Sequence, residues 1–298
     1  MIDLSFSFSS TTISNRSGRP PAYPKELTSF QIKQEAVRLQ TLGLSPQAWQ
    51  VLDWLSVGGV MSTNQLQIKP RTLRKYAHAH LLARLPFPSN ELAPEFSKYG
   101  LPYNPSETHL YVLGPVGLEI VTRRHEYPPL TGHLSYPLAR TMHDVILNEI
   151  VLRLAAFVSQ QGWNITWMGT NTATLFDAEK TRQILEPDAM LIFQKEAQAQ
   201  RFCLEYHNED KQTRAEQKVQ KYQAAYEAGT WRQQWEADAF PTVLAVFEKE
   251  IVGIGYQATL KERRTNVTFC GKLLVGVLQD NLAEWANFAT GERIAILN

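Results

Sequence analysis

Apolar positions recur at helical spacing through Trp49, Leu52 and Leu55, directly after Ser45-Pro46, a pair suited to an N-cap and a first helical residue. The spacing predicts a helix that stops at Gly58-Gly59. A second capping signal at Ser62 or Thr63 predicts a short helix through Leu66, and Pro70 opens a third that is expected to run to about Leu85. On that third helix Leu73, Ala77 and Leu81 make one apolar stripe, with Arg71, Arg74, Lys75 and His78 on other faces. After a loop rich in Pro and Asn, His109-Leu110-Tyr111-Val112-Leu113 reads as a strand and a further helix starts near Pro115.

The pattern changes from Thr141. A long helix, MHDVILNEIVLRLAAFVSQ, precedes strands over Trp163-Met168, Asp188-Phe193 and Phe202-His207. An amphipathic helix over about Lys211–Ala228 and the strand Thr242–Phe247 complete the order helix, three strands, helix, strand. The expected fold class is α+β: an N-terminal winged helix-turn-helix, with His109–Leu113 as its wing, followed by an α/β/α domain built on a mixed sheet. The expected boundaries are a flexible tail over residues 1–26, rich in Ser, Thr and Pro, a DNA-binding domain over 27–130 and the α/β domain over 131–298.

Charge sharpens this division. The formal net charge is only +1, yet residues 1–130 hold 13 Lys and Arg against 9 Asp and Glu, so the basic surplus lies in the N-terminal part. Between Asp53 and Glu91 there is no carboxylate, whereas Lys69, Arg71, Arg74, Lys75 and Arg84 all fall there. A basic helix after a tight turn is a common way of entering the major groove, so duplex DNA is the expected partner. Arg71, Lys75 and Arg84 are expected at phosphates, and Arg74 and His78 at base edges or phosphates, with Lys69 and Thr72 flanking them. The alternative is a small helical domain whose basic face is merely solvated.

Other classes find little support. Cys203 and Cys270 lie far apart in apolar, strand-like sequence, which reads as buried free thiols in a reducing compartment. No apolar run approaches the ~20 residues of a membrane span, and the first residues lack a basic leader followed by an apolar core, so a cytoplasmic protein without membrane contact is expected. No glycine-rich phosphate loop, Cys/His metal spacing or Gly-x-Ser-x-Gly elbow is present.

The second half carries the chemistry of a different site. Glu186-Pro187-Asp188 opens one strand and Leu204-Glu205-Tyr206-His207 lies on the next, where a period of two puts Glu205 and His207 on one face and a hairpin can bring Asp188 beside Glu205. This resembles the restriction-endonuclease-like superfamily, whose signature is an acid, commonly in Pro-Asp, followed by Glu-x-Lys or Asp-x-Lys. The resemblance implies a Mg²⁺ site at Asp188 and Glu205 with Glu149, on the preceding helix, as third acid. His207 stands where the lysine would be and is cationic only when protonated. Lys211, Arg214, Lys218 and Lys221 form a basic stripe on the following helix, so Gln217, Lys218 and Lys221 are candidates for a relocated role. The plainer reading makes Asp188 a strand-start residue and Glu205 a salt-bridge partner of that stripe.

Over roughly Leu44 to Phe247 the chain resembles the plasmid replication-relaxation family, which joins a winged helix to a nuclease-like domain. The residues that carry the resemblance are Leu44-Ser45, Thr63-Asn64-Gln65-Leu66, Tyr111 through Gly117, His143, Asn148, Pro187-Asp188, Leu204-Glu205, Lys218 and Tyr222. It implies a DNA-binding protein of a plasmid or other mobile element, acting in replication, relaxation, mobilisation or their regulation, with the nuclease-like domain as scaffold. The alternative is a metal-dependent endonuclease positioned by the winged helix. No cofactor is expected unless the acidic site is active, in which case it is Mg²⁺. Partners beyond DNA are a second copy of the chain or a mobile-element protein, although no heptad marks an interface. His143 is expected to pack between domains, and Trp163, Trp167, Trp231 and Trp235 to sit in cores.

Overall fold

The computed structural model describes residues 2–3, 27–125, 129, 135–209, 211 and 213–297. A short strand β1 (Ile2–Asp3) comes first, and residues 4–26 of the expected tail lie outside the described residues. Then follow α1 (Ser29–Leu42), α2 (Pro46–Gly58), β2 (Met61–Ser62), α3 (Thr63–Leu66), α4 (Pro70–His78), β3 (Leu82–Arg84), α5 (Ser89–Lys98), β4 (Leu110–Leu113) and α6 (Pro115–His125). The chain continues through α7 (Leu138–Gln160), β5 (Asn164–Gly169), α8 (Thr170–Ala173), β6 (Leu175–Phe176), β7 (Gln183–Leu185), β8 (Ala189–Lys195) and β9 (Gln198–His207). It ends with α9 (Thr213–Ala228), α10 (Trp231–Gln234), β10 (Thr242–Phe247), α11 (Glu250–Glu262), β11 (Phe269–Leu273), α12 (Leu274–Leu278), β12 (Glu284–Asn287) and β13 (Arg293–Ala295). Among the described residues no helix is long and apolar enough to cross a membrane.

The chain forms two compact units, one of Ser5–Pro94 with Pro102–Thr141 and one of Met1–Leu4, Glu95–Leu101 and Met142–Asn298. The division thus falls near Thr141 rather than at 130, and the short segment 95–101 joins the C-terminal unit although it lies between β3 and β4.

In the N-terminal unit, Ser45 caps α2 by accepting from the Ala48 amide, with Pro46 as first helical residue. The cap of α3 is Ser62, in a reciprocal box with Gln65. Every residue of Thr63-Asn64-Gln65-Leu66 is anchored. Thr63 Oγ1 donates to the Glu107 and His109 carbonyls, Asn64 donates to the Pro102 carbonyl, Gln65 closes the box and Leu66 is buried. Gln67, in the left-handed region at φ 52°, turns the chain toward α4. That helix ends at His78 rather than near Leu85. His80 at φ 56° reverses the chain, and Leu82–Arg84 becomes a strand because its partner Leu110–Leu113 satisfies its backbone. The sheet order is β2-β4-β3, all antiparallel, so β4, which begins at Leu110 rather than His109, is the central strand, paired with β2 on one side and β3 on the other. Gly114 and Gly117 let α6 press against the turn after α4: an added Cβ would lie 2.3 Å from the His80 carbonyl oxygen at Gly114 and 2.1 Å from that of Leu81 at Gly117.

The C-terminal unit is an eight-stranded mixed sheet in the order β1-β5-β8-β9-β10-β11-β12-β13, parallel across β9, β10 and β11 and antiparallel elsewhere. The run Val243-Leu244-Ala245-Val246-Phe247 is apolar throughout because β10 is central and covered on both faces. One face, through Met190, Cys203, Val243 and Ala245, packs on Ala215, Val219 and Tyr222 of α9 and Val252 and Tyr256 of α11. On the other, α7 meets β9 through His143, and Arg153 of α7 donates to the Leu278 carbonyl at the end of α12. Both cysteines are buried free thiols, and burial raises the pKa of each.

Candidate functional site

The N-terminal unit presents its basic residues outward. Leu73 is the buried anchor of α4, and Lys69, Arg71, Arg74, Lys75 and His78 are exposed around it, with Thr72 half-buried. Among the described residues no carboxylate is ion-paired to any of them. Arg84, placed by β3 rather than by the helix, joins the same positive field. It and Arg74 both act on His109, whose pKa is pushed down to about 4 first by burial and then by Arg84. Tyr111 lies in this field as well.

This arrangement carries a pH consequence. An unfolded His109 takes up its proton as pH falls through its ordinary value of 6.5, while the folded one resists until about 4. The stability contributed above 6.5 is therefore lost as pH falls between those values. The expected result is that urea midpoints measured at about pH 7.5 and about pH 4.5 differ less in His109→Gln than in the wild type; an unchanged difference would remove His109 from this role.

The acidic residues of the C-terminal unit are assembled by register. The hairpin between β8 and β9 turns at Glu196, with φ 52°, and pairs Lys195 with Gln198; that register runs back to Ala189 opposite Leu204. One step further, Asp188 comes opposite Glu205, and its Oδ2 accepts the Tyr206 amide at 2.8 Å. Glu205 faces α9 with its side chain fully buried. Its Oε2 accepts from Lys218 Nζ in a close ion pair, and its Oε1 accepts the Tyr222 hydroxyl at 2.7 Å. Burial pushes the Glu205 carboxyl up, as does Asp188, while Lys218 acts against both. Burial also opposes the Lys218 ammonium, but Glu205, Asp188 and Glu209 more than offset it, so its pKa is raised.

Of the three candidates on α9 only Lys218 reaches the acids; Gln217 and Lys221 are exposed. His207 does share the face of Glu205, but it is buried beneath α11, with Nε2 3.0 Å from the Tyr256 hydroxyl and Nδ1 3.8 Å from Glu209. Through that contact His207 and then Arg214 lower the Glu209 pKa to about 2. Glu149 is engaged elsewhere. Arg153 donates to it at 2.9 Å and also to Asp280 at 2.7 Å, in the layer that covers the opposite face of the sheet.

A divalent cation of the Mg²⁺ class needs water-filled space and unengaged carboxylate oxygens. Both Glu205 oxygens are already taken, the side chain has no exposure, and one Asp188 oxygen holds a backbone amide. Among the described residues no three His, Cys, Asp or Glu side chains gather as a metal-holding group, so Glu149 does not complete the expected triad. The residues present do not fit the metal.

A model of the replication-relaxation family matches residues 52–243, from the second helix of the N-terminal unit into β10. The chain belongs to the replication-relaxation family. Membership in the replication-relaxation family associates it with plasmid replication or relaxation. No curated protein and no solved structure matches the chain. The matched span contains both the basic α4 and the Asp188–Glu205–Lys218 cluster.

Other residues singled out in the sequence are structural in their contacts. His143 lies on α7 with Nε2 3.3 Å from the Tyr206 carbonyl oxygen, and Asn148 of the same helix is buried. Trp163, Trp167, Trp231 and Trp235 are all buried, which removes them from base stacking. Sequence reasoning missed Glu248. At the end of β10 it accepts hydroxyls from both Tyr99 and Tyr206 at 2.7 Å, with Lys98 at 3.3 Å. No local motif marks it, since its partners lie far away in sequence.

Proposed function

We propose that this protein binds duplex DNA of a plasmid or related mobile element through a winged helix in its N-terminal unit, and that it acts there in replication, relaxation or their regulation. The observation that carries this reading is the exposed, carboxylate-free array of Lys69, Arg71, Arg74, Lys75, His78 and Arg84 on α4 and the adjoining β3. The element order β2-α3-α4-β3-β4 and the sheet order β2-β4-β3 support it, because a winged helix presents its second helix of the helix-turn-helix in this way. Arg71, Lys75 and Arg84 take phosphates; Arg74 and His78 reach base edges or phosphates; Lys69 and Thr72 flank the helix start. The C-terminal unit, with its hairpin-borne acids and mixed sheet, serves as a nuclease-like scaffold in the cytoplasm, where the plasmid resides.

The test is fluorescence anisotropy with a labelled duplex over a salt series. Arg71, Lys75 and Arg84 at phosphates, with Arg74 as a fourth contact when it too meets a phosphate, set a slope of log affinity against log salt of about −2.7 to −3.6. Absence of binding at about 50 mM salt, where non-specific electrostatic association is strong, would overturn the proposal.

A further inference from the structure

We propose that the Lys218 ammonium is the resident cation of the Asp188–Glu205 pair, so that the C-terminal unit holds no divalent metal there and needs none. The inference is independent of DNA binding.

Three observations support it. The charge balance is met within the protein: Lys218 lies in the field of Asp188, Glu205 and Glu209 and forms a direct ion pair with Glu205. The second oxygen of Glu205 accepts from Tyr222, a residue of the same helix one turn further along, so α9 supplies both the cation and the hydroxyl from one face. Ala215, Val219 and Tyr222, which flank Lys218, are buried against the sheet, so the ammonium is held in position by the packing of its own helix. A metal taking both oxygens of the fully buried Glu205 would have to displace the half-buried ammonium and break the Tyr222 hydrogen bond. Expelling a cation while desolvating a second one gains nothing unless new ligands compensate, and Glu149 and His207 are committed to Arg153 and to Tyr256.

The experiment is a Mn²⁺ titration of the full-length ¹⁵N-labelled protein, followed by paramagnetic broadening of the Tyr206 amide, which bonds directly to Asp188. The wild type is expected to show no saturable broadening there. Lys218→Met, which keeps the apolar stem and removes the charge, is expected to bind Mn²⁺ weakly but saturably, broadening Tyr206, and Asp188→Asn added to it is expected to abolish that binding. Saturable broadening in the wild type that Asp188→Asn removes would overturn the proposal, as would a folded Lys218→Met protein that binds no Mn²⁺. Should Lys218→Met fail to fold, the wild-type titration decides alone. A DNA-binding defect in these variants plays no part in the outcome, so failure here and failure of the winged-helix reading remain distinguishable.

Discussion

Replacing Arg71, Arg74 and Lys75 together by Ala is expected to weaken duplex binding by about 500-fold at ~0.1 M monovalent salt and to flatten the salt dependence by about 2.7 in slope. Both numbers come from one physical term. Each cation that neutralises a phosphate releases condensed counterions, which changes the slope by about 0.9 per contact; three contacts over the decade between 1 M and 0.1 M salt then account for the loss in affinity. The three side chains are exposed and make no ion pairs among the described residues, so their removal leaves no buried partner unsatisfied. Leu73, the buried anchor of α4, is untouched, and Ala favours the helix. Thermal unfolding of the triple variant should therefore match the wild type. If the variant is folded and keeps its affinity and slope, the array is a solvated face and DNA binding belongs elsewhere.

The second large effect concerns stability. Glu205→Leu is expected to destabilise the protein by about 3–5 kcal/mol, because it leaves the Lys218 ammonium partly buried without its partner. The Tyr222 hydroxyl loses its acceptor as well, at about 1–3 kcal/mol for an unsatisfied buried group, a cost included in that range rather than added to it. Combining Glu205→Leu with Lys218→Met and Tyr222→Phe removes the two polar groups that the single substitution leaves without their partner, while roughly preserving volume, so the triple variant should recover most of the loss. Denaturant unfolding at neutral pH measures this. If the single and the triple variant are equally destabilised, Glu205 contributes through packing and the polar network holds nothing together.

Much of the architecture was legible from local chemistry. Ser45-Pro46, the Ser62 or Thr63 signal and Pro70 are local helix-start signals, and the helices begin at Pro46, at Thr63 with Ser62 as the cap, and at Pro70. Thr242–Phe247 reads as a strand from its apolar, β-branched run, while the cover on both its faces comes from its central place in the sheet; period-two spacing puts Glu205 and His207 on one face, and a hairpin with a tight turn can bring Asp188 beside Glu205. Strand register is an arithmetic consequence of that turn. No signal in the chain marked Glu196 as the place of that turn, so the sequence allowed the adjacency of Asp188 and Glu205 and the observed register decided it.

What the chain could not disclose locally lies in contacts between residues distant in sequence. Ala79 to Leu85 has the spacing to continue α4, and its conversion into a turn and β3 depends on Leu110–Leu113 offering a ladder and on Gly114 and Gly117 admitting α6 against the turn. Glu149 sits at a helix position suited to a third acid, but a helix covers only one face of a sheet, and α7 covers the one opposite Glu205. The same logic separates Lys218 from Gln217 and Lys221. Sequence placed all three on one amphipathic helix, and only the angle at which α9 packs on β9 turns Lys218 toward the carboxylate. The sequence by itself determined which residues could be charged, capped or alternately buried, because those properties are set by neighbours a few positions away. Tertiary structure alone decided which charges meet, since a buried ion pair forms only where two separately encoded surfaces are brought into contact and desolvated together.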